Sequence, residues 1–92
     1  MTTDTDIRVE HSTPEQLQGL GVRDWPIWTK EPSTFDWTYA EQETCYLLEG
    51  QVTVTSSAGT VQFGAGDLVT FPRGLRCTWQ VRQAVRKHYR FG

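Results

Sequence analysis

Hydrophobic and polar residues alternate in many short segments of the chain, and Gly or Pro residues separate these segments. Alternation with a period of two is typical of strands that bury one face. The predicted strands cover residues 7–9, 27–29, 35–39, 44–49, 51–55, 60–63, 68–71, 76–81 and 85–91. Many short strands separated by turns predict an all-β protein, built as a barrel or a sandwich.

One helix is predicted before the main run of strands. Thr13 has the position of an N-cap, Pro14 that of the first helical residue, and Gln16 completes a capping box. Gly19 and Gly21 are expected to end the helix within about two turns. The polar residues 1–6 are expected to fray.

The turns follow from the same residue types. We predict a hairpin turn at Glu49 and Gly50, because Gly adopts the backbone angles of tight turns without strain. Gly66 and Asp67 are expected to form the turn before the strand at 68–71, and residues 72–74, with the sequence PRG, the turn after it.

The length of 92 residues leaves room for one domain, which we expect to span residues 1–92. A domain of this size buries a modest share of its unfolded surface and needs an efficient architecture or a partner chain. Hydrophobic residues make up 37% and aromatic residues 12%, which is enough for a packed interior. The four Trp residues are expected to dominate the core or a pocket.

Charge and cysteine content narrow the function classes. A formal net charge of -2 argues against nucleic-acid binding, which normally requires a basic domain. No apolar run approaches the length of a membrane span, and the polar start MTTDTD is unlike a signal peptide. We therefore expect a cytoplasmic protein without a membrane partner. Cys45 and Cys77 are expected to be reduced thiols.

Two segments combine Gly turns with Glu43 and Cys77 at defined spacings. Residues 43–50, ETCYLLEG, place Glu43 seven positions before a Gly. Residues 66–77, GDLVTFPRGLRC, place a Gly and a Pro-x-Gly turn before Cys77. These segments resemble the two sequence motifs of cupins, and the resemblance implies a double-stranded β-helix, the jelly-roll barrel of the RmlC-like cupins, with one short N-terminal helix.

The resemblance extends over nearly the whole chain. The segments WPIW at 25–28, WTY at 37–39, ETCY at 43–46, GDLVTFP at 66–72 and RKHY at 86–89 are similar to small cupins of the ureidoglycine aminohydrolase cupin-domain family. The enzyme that gives this family its name is a larger protein with two such barrels. The resemblance therefore implies the fold and leaves the activity open.

The chain departs from the metal-binding pattern of that superfamily. The positions of its His-x-His pair hold Trp37 and Tyr39 here, or Asp36 and Thr38 in the alternative spacing. The position of its later His holds Cys77, and that of its Asn holds Val81. Of the four usual ligands only Glu43 is in place, and zinc or iron sites normally need three protein ligands. We predict no cofactor and no metal site; Glu43 and Cys77 are the remaining candidates for a divalent metal.

The cupin resemblance implies that Glu43 and Cys77 point into the barrel. Strand alternation then places Cys45 on the inner face with Glu43, and Trp79 on the inner face with Cys77. The candidate ligand-binding residues are Trp37, Tyr39, Glu43, Cys45, Cys77, Trp79 and Lys87. We expect Lys87 to point inward and pair with Glu43, because an unpaired carboxylate in an apolar barrel is costly. Tyr39 is the second predicted partner of Glu43. The alternatives are a Lys87 that extends to the rim and aromatic residues that only pack the core.

Other polar residues of the last strand are assigned to the outside. His88 is expected at the surface or in an interface, and Arg82, Arg86 and Arg90 at a solvated rim.

Three functions remain open for this interior. The first is binding of a small polar molecule in an aromatic pocket. The second is an enzyme of the aminohydrolase or isomerase type, with Glu43 as the general base and Lys87 or Cys77 in support, which makes these three the candidate catalytic residues. The third is a scaffold or regulatory subunit. We also expect a homodimer, since a small barrel with four Trp residues has apolar surface to cover.

Overall fold

The computed structural model describes residues 7–92, and the predicted fraying of residues 1–6 lies outside this range. Its elements in chain order are β1 (Arg8–His11), α1 (Pro14–Leu20), a 3-10 turn (Val22–Asp24), β2 (Ile27–Lys30), β3 (Ser33–Thr38), β4 (Glu43–Ser56), β5 (Gly59–Gly64), β6 (Asp67–Phe71) and β7 (Arg76–Phe91). The expected all-β fold with one short helix is confirmed. No helix in this range is long and apolar enough to cross a membrane.

The seven described strands form one antiparallel sheet in the order β1-β6-β4-β7-β2, with β3 on β7 and β5 on β4. The long strands β4 and β7 pair with each other from Glu43 to Ser56. Each also changes its second partner along its length. The first part of β4 pairs with β6 and the second with β5, while the first part of β7 pairs with β3 and the second with β2.

The short helix α1 begins and ends as predicted. Gln16 N donates to Thr13 Oγ1 at 3.2 Å, and Thr13 N donates to Gln16 Oε1 at 2.9 Å, which forms the capping box. Gly21 closes the helix with a left-handed backbone, φ 70°. The helix buries none of its residues, so its caps contribute much of its local stability.

The predicted hairpin turn at Glu49 and Gly50 is wrong. Both residues lie inside the continuous strand β4, at a bulge where the register with β7 shifts. Gly50 has φ 114°, and a Cβ there would lie 2.7 Å from Ala84 O and 2.9 Å from Val85 Cα. Gly is needed because the two long strands approach closely and bend at this point.

The predicted break between the strands at 76–81 and 85–91 is also wrong. The sequence predicted a loop at residues 82–84, and these residues are exposed, but they belong to the continuous strand β7. Gln83 pairs with Gln51 of β4 in the bulged region. The partner strand keeps the segment extended, and local polarity does not reveal that.

The core lies inside the folded sheet and is rich in aromatic rings. Its buried members are Tyr39, Cys45, Leu47, Val52, Val54, Phe63, Val69, Phe71, Cys77, Trp79, Val81 and Val85. Tyr39 stacks on Phe71 with ring centroids 4.8 Å apart, and Phe71 contacts Trp79 at 5.6 Å. Burial of these rings supplies a large share of the hydrophobic stabilisation.

Candidate functional site

A cavity of about 260 Å³ lies between β2, β3, β4 and β7. Its lining residues are Trp28, Trp37, Tyr39, Glu43, Trp79, Lys87, Tyr89 and Phe91. Trp37 and Phe91 are 47% and 45% exposed, so they form the rim of the cavity. Six of these eight residues are aromatic, which makes the cavity a largely apolar space with two charged groups.

The two charged groups form a buried ion pair. Lys87 Nζ lies 2.9 Å from Glu43 Oε2, and each side chain is only 5% exposed. Glu43 begins β4 with its side chain on the inner face, which it shares with Cys45 and Leu47. Lys87 stands opposite Leu47 on β7 and reaches Glu43 across this face. The inward position of Lys87 and its pairing with Glu43 are confirmed.

Two indole rings hold the same ammonium group. Lys87 Nζ lies 4.9 Å from the ring centroid of Trp28 and 4.6 Å from that of Trp79. The two rings are nearly perpendicular, at 76°, so they face the nitrogen from different sides. Their quadrupoles attract the cation and offset part of its desolvation.

The hydroxyl of Tyr39 lies at the base of this aromatic cluster. Trp79 Nε1 donates to it at 3.2 Å, and Tyr39 is 1% exposed. The hydrogen bond expected between Tyr39 and Glu43 does not occur in this structure, where the carboxylate pairs with Lys87. Burial and the nearby charge of Glu43 raise the pKa of Tyr39 far above its usual value, so the phenol stays protonated.

The sequence analysis placed both cysteines in the cavity lining, but both lie in the core. Cys45 is 0% exposed and Cys77 is 7% exposed. Both are free thiols, as expected, and burial raises the pKa of Cys45 to about 12. Burial and the charge of Glu43 raise the pKa of Cys77 to about 11, and its Sγ donates to Trp37 O at 3.7 Å.

The donors near the cavity do not fit a divalent metal. Within residues 7–92, no three His, Cys, Asp or Glu side chains are grouped closely enough to hold one. Cys77 is a poor ligand in this setting, because its raised pKa disfavours the thiolate that binds metals. Lys87 already occupies one oxygen of Glu43.

Sequence reasoning missed three lining residues: Trp28, Tyr89 and Phe91. A signal for two of them was present. Tyr89 and Phe91 alternate with Lys87 along β7, so they lie on the same face of the strand. Trp28 pairs directly with Lys87 across β2 and β7, which the sequence could not reveal.

His88 is buried, in contrast to the surface position expected for it. It is 9% exposed on the outer side of β7, and its Nδ1 donates to Trp25 O at 2.8 Å. The segment between α1 and β2 covers it. The neighbouring arginines are exposed, and Arg86 forms a loose ion pair with Glu49 at 3.4 Å.

Comparison with known families gives one match over most of the chain. A family described as the EutQ-like cupin domain matches residues 17–89. A comparison with curated proteins finds no significant match.

Solved structures extend this result. A DUF861 family protein from Thermotoga maritima is 53% identical, covers 95% of this chain and 100% of its own, and has a TM-score of 0.92. The EutQ protein of Clostridium difficile is 25% identical over 68% of this chain, with a TM-score of 0.63. The match covers 50% of the length of that EutQ chain. A putative ethanolamine utilization protein Q from Salmonella typhimurium is 21% identical over 92% of this chain and 68% of its own, with a TM-score of 0.65, which supports the fold alone.

Proposed function

This chain belongs to the EutQ-like cupin domain family, and we propose that it binds a small polar molecule in the aromatic cavity of its barrel. Glu43 provides the polar contact, and the rings of Trp28, Trp37 and Tyr89 provide the walls. The proposed binding involves no metal, and the lack of three grouped His, Cys, Asp or Glu side chains within residues 7–92 supports this part of the proposal.

The buried ion pair of Lys87 and Glu43 carries this proposal. A buried ion pair often contributes no more stability than apolar residues of the same volume, because both ions lose their hydration. Here the pair borders an open space of about 260 Å³ instead of being packed on every side. A costly polar pair at the wall of an apolar cavity is typical of a binding site.

The aromatic walls supply the apolar part of recognition. Trp28 and Trp79 meet edge to face with centroids 6.1 Å apart, and Phe35 stacks behind Trp79 at 6.0 Å. Packing of this kind limits the motion of the rings before any molecule binds. The half-exposed rim of Trp37 and Phe91 leaves a path from solvent.

An enzyme of the aminohydrolase or isomerase type is the second candidate. Glu43 is a proton acceptor and Lys87 a proton donor, and they border the same cavity at 2.9 Å from each other. The assignment of this chain to the ureidoglycine aminohydrolase cupin-domain family is part of this second proposal. Cys77 is the weakest of the three catalytic candidates, because its thiol is protonated at neutral pH.

We further propose that the protein is a cytoplasmic homodimer without nucleic-acid or membrane partners. Exposed apolar side chains at Val9, Leu20 and Ile27 support self-association through the N-terminal part of the chain. A scaffold or regulatory role remains the alternative if the cavity binds nothing.

The test is a fragment screen by ligand-observed NMR against the wild type, Glu43→Gln and Glu49→Gln. The second variant is the matched control, since Glu49 is exposed and is not one of the residues that line the cavity. We expect hits that Glu43→Gln loses and Glu49→Gln keeps. No hits, or hits unaffected by Glu43→Gln, would contradict the binding function. Hits that change mass on incubation with the protein would favour the enzyme.

A further inference from the structure

The ammonium group of Lys87 is fully engaged by the protein itself. It has three N–H donors. Glu43 Oε2 accepts one at 2.9 Å, and the rings of Trp28 and Trp79 lie over the nitrogen at 4.9 and 4.6 Å. Lys87 is therefore a positioning residue, which orients and neutralises the carboxylate instead of binding a molecule directly.

Glu43 keeps unused acceptor capacity at the cavity wall. A carboxylate has about four lone-pair sites on its two oxygens, and the ion pair occupies one of them on Oε2. Glu43 lines the cavity, and we expect its remaining sites to face the open space. A bound molecule with an N–H or O–H group can donate to them.

The charges of the cavity cancel within the protein. Glu43 and Lys87 are the two charged residues among the eight that line it, and they sum to zero. An ion that enters such a site gains no counter-ion of its own and loses its hydration, which is unfavourable in an apolar space. An uncharged donor loses much less hydration and still gains a bond to a charged acceptor, one of the stronger hydrogen bonds in proteins.

We infer that this cavity selects an uncharged ring compound that donates a hydrogen bond to Glu43, and that it rejects simple anions and cations. The inference rests on the binding function proposed above and deepens it by naming the class of molecule. The ring matches the walls formed by Trp28, Trp37 and Tyr89.

Four probes of matched skeleton test the inference: benzyl alcohol, benzyl methyl ether, benzoate and benzylammonium. Titrations at neutral pH can follow the tryptophan fluorescence, because Trp28, Trp37 and Trp79 line the cavity. We expect benzyl alcohol to bind the wild type at least about tenfold more tightly than each of the other three, as expected for a hydrogen bond to a charged group. The ether replaces the O–H donor by a methoxy group. Benzylammonium keeps N–H donors and carries a positive charge, whereas benzoate has no donor and carries a negative charge.

Variants of the ion pair give a second test, because they change the charge balance in opposite directions. Lys87→Met leaves the carboxylate of Glu43 without its cation. For this variant we expect the affinity for benzylammonium, relative to that for benzyl alcohol, to rise by about tenfold or more. Glu43→Gln leaves the ammonium without its anion, and its preference is expected to shift to benzoate. Glu49→Gln, on the exterior, should keep the preference of the wild type. Circular dichroism at the assay temperature confirms that each variant is folded.

The inference is overturned if benzoate or benzylammonium binds the wild type as tightly as benzyl alcohol, if the ether equals the alcohol, or if no probe binds. Wild-type data alone decide this, even if a variant fails to fold. The proposed binding function is still supported if the wider fragment screen finds charged molecules whose binding depends on Glu43. Failure of the inference and failure of the proposed function are therefore distinct outcomes.

Discussion

Trp79 Nε1 donates a 3.2 Å hydrogen bond to the hydroxyl of Tyr39, and both side chains are almost completely buried. The bond joins the first half of β7 to the segment that follows β3. Tyr39 also stacks on Phe71, and Trp79 contacts Lys87 Nζ, so this one bond connects the core to the base of the cavity.

Tyr39→Phe should therefore destabilise the protein without a loss of ring packing. The substitution leaves the indole N–H of Trp79 buried without an acceptor, which costs about 2 kcal/mol of unfolding free energy. Denaturant unfolding measures this cost. The control is Tyr46→Phe, at a half-buried position on the other face of β4, where we expect little change. Equal effects of the two variants would show that the bond contributes nothing.

Much of the fold could be predicted from the sequence because its signals are local. The capping residues of α1, the turns around Gly66 and at residues 72–74, and the alternation of Glu43, Cys45 and Leu47 each depend on a few neighbouring residues. The ion pair was predictable for a different reason. An inward carboxylate needs a cation, and Lys87 was suitably placed on the last strand.

The errors concern features that distant parts of the chain determine. The sequence predicted a turn at Gly50, but β7 pairs with β4 on both sides of this residue and keeps β4 extended. The burial of His88 depends on the carbonyl of Trp25, 63 positions away in the chain. Cys77 was assigned to the pocket because it holds the position of a metal-binding His in the cupin motif, which gives the direction of a side chain but not its reach.

Two Gly→Ala substitutions should have opposite effects on stability. At Gly50, with φ 114°, the new Cβ would clash with Ala84 O at 2.7 Å, so Gly50→Ala should cost roughly 2 kcal/mol or more. At Gly19 no atom lies within 4 Å of the new Cβ and the residue is helical, so Gly19→Ala should stabilise by up to about 1 kcal/mol. Thermal unfolding compares the two. A neutral Gly50→Ala would contradict the close approach of β4 and β7.

The two thiols should be unreactive at neutral pH. Burial raises the pKa of Cys77 to about 11 and that of Cys45 to about 12, so little thiolate is present below pH 9. We expect iodoacetamide to modify the folded protein much more slowly than the urea-unfolded chain, with Cys77 reacting first as the pH rises. Mass spectrometry after timed quenching gives both rates. Fast labelling of Cys77 at pH 7 would restore it as a catalytic candidate.

The raised pKa values of the two thiols also predict that the folded protein is less stable at alkaline pH. A thiol whose pKa is raised on folding keeps its proton in the folded state and loses it in the unfolded state at lower pH. The unfolding free energy should be constant below the ordinary pKa of 9.0 and fall as the pH rises toward 11. Tyr39 acts in the same direction above its ordinary pKa of 10.0. Denaturant curves at pH 8 and pH 10 test this, and a higher stability at pH 10 would contradict it.

The last prediction concerns the free energy of the ion pair between Lys87 and Glu43. Either partner alone would be a buried charge without a counter-ion, so Lys87→Met and Glu43→Gln should each cost about 3 kcal/mol of unfolding free energy. The double variant removes both charges and leaves Met and Gln in the cavity wall. Its cost should be well below the sum of the single costs, because neither charge remains buried and unpaired.

A matched cycle on Arg86 and Glu49 provides the control. This pair is 3.4 Å apart with side chains 48% and 65% exposed, and solvent screening should keep its coupling below about 1 kcal/mol. Urea unfolding of all seven proteins, the wild type included, at one pH gives both coupling energies. If the inner pair couples no more strongly than the outer one, water must reach the inner charges freely. The charge balance inferred for the cavity would then lose its physical basis.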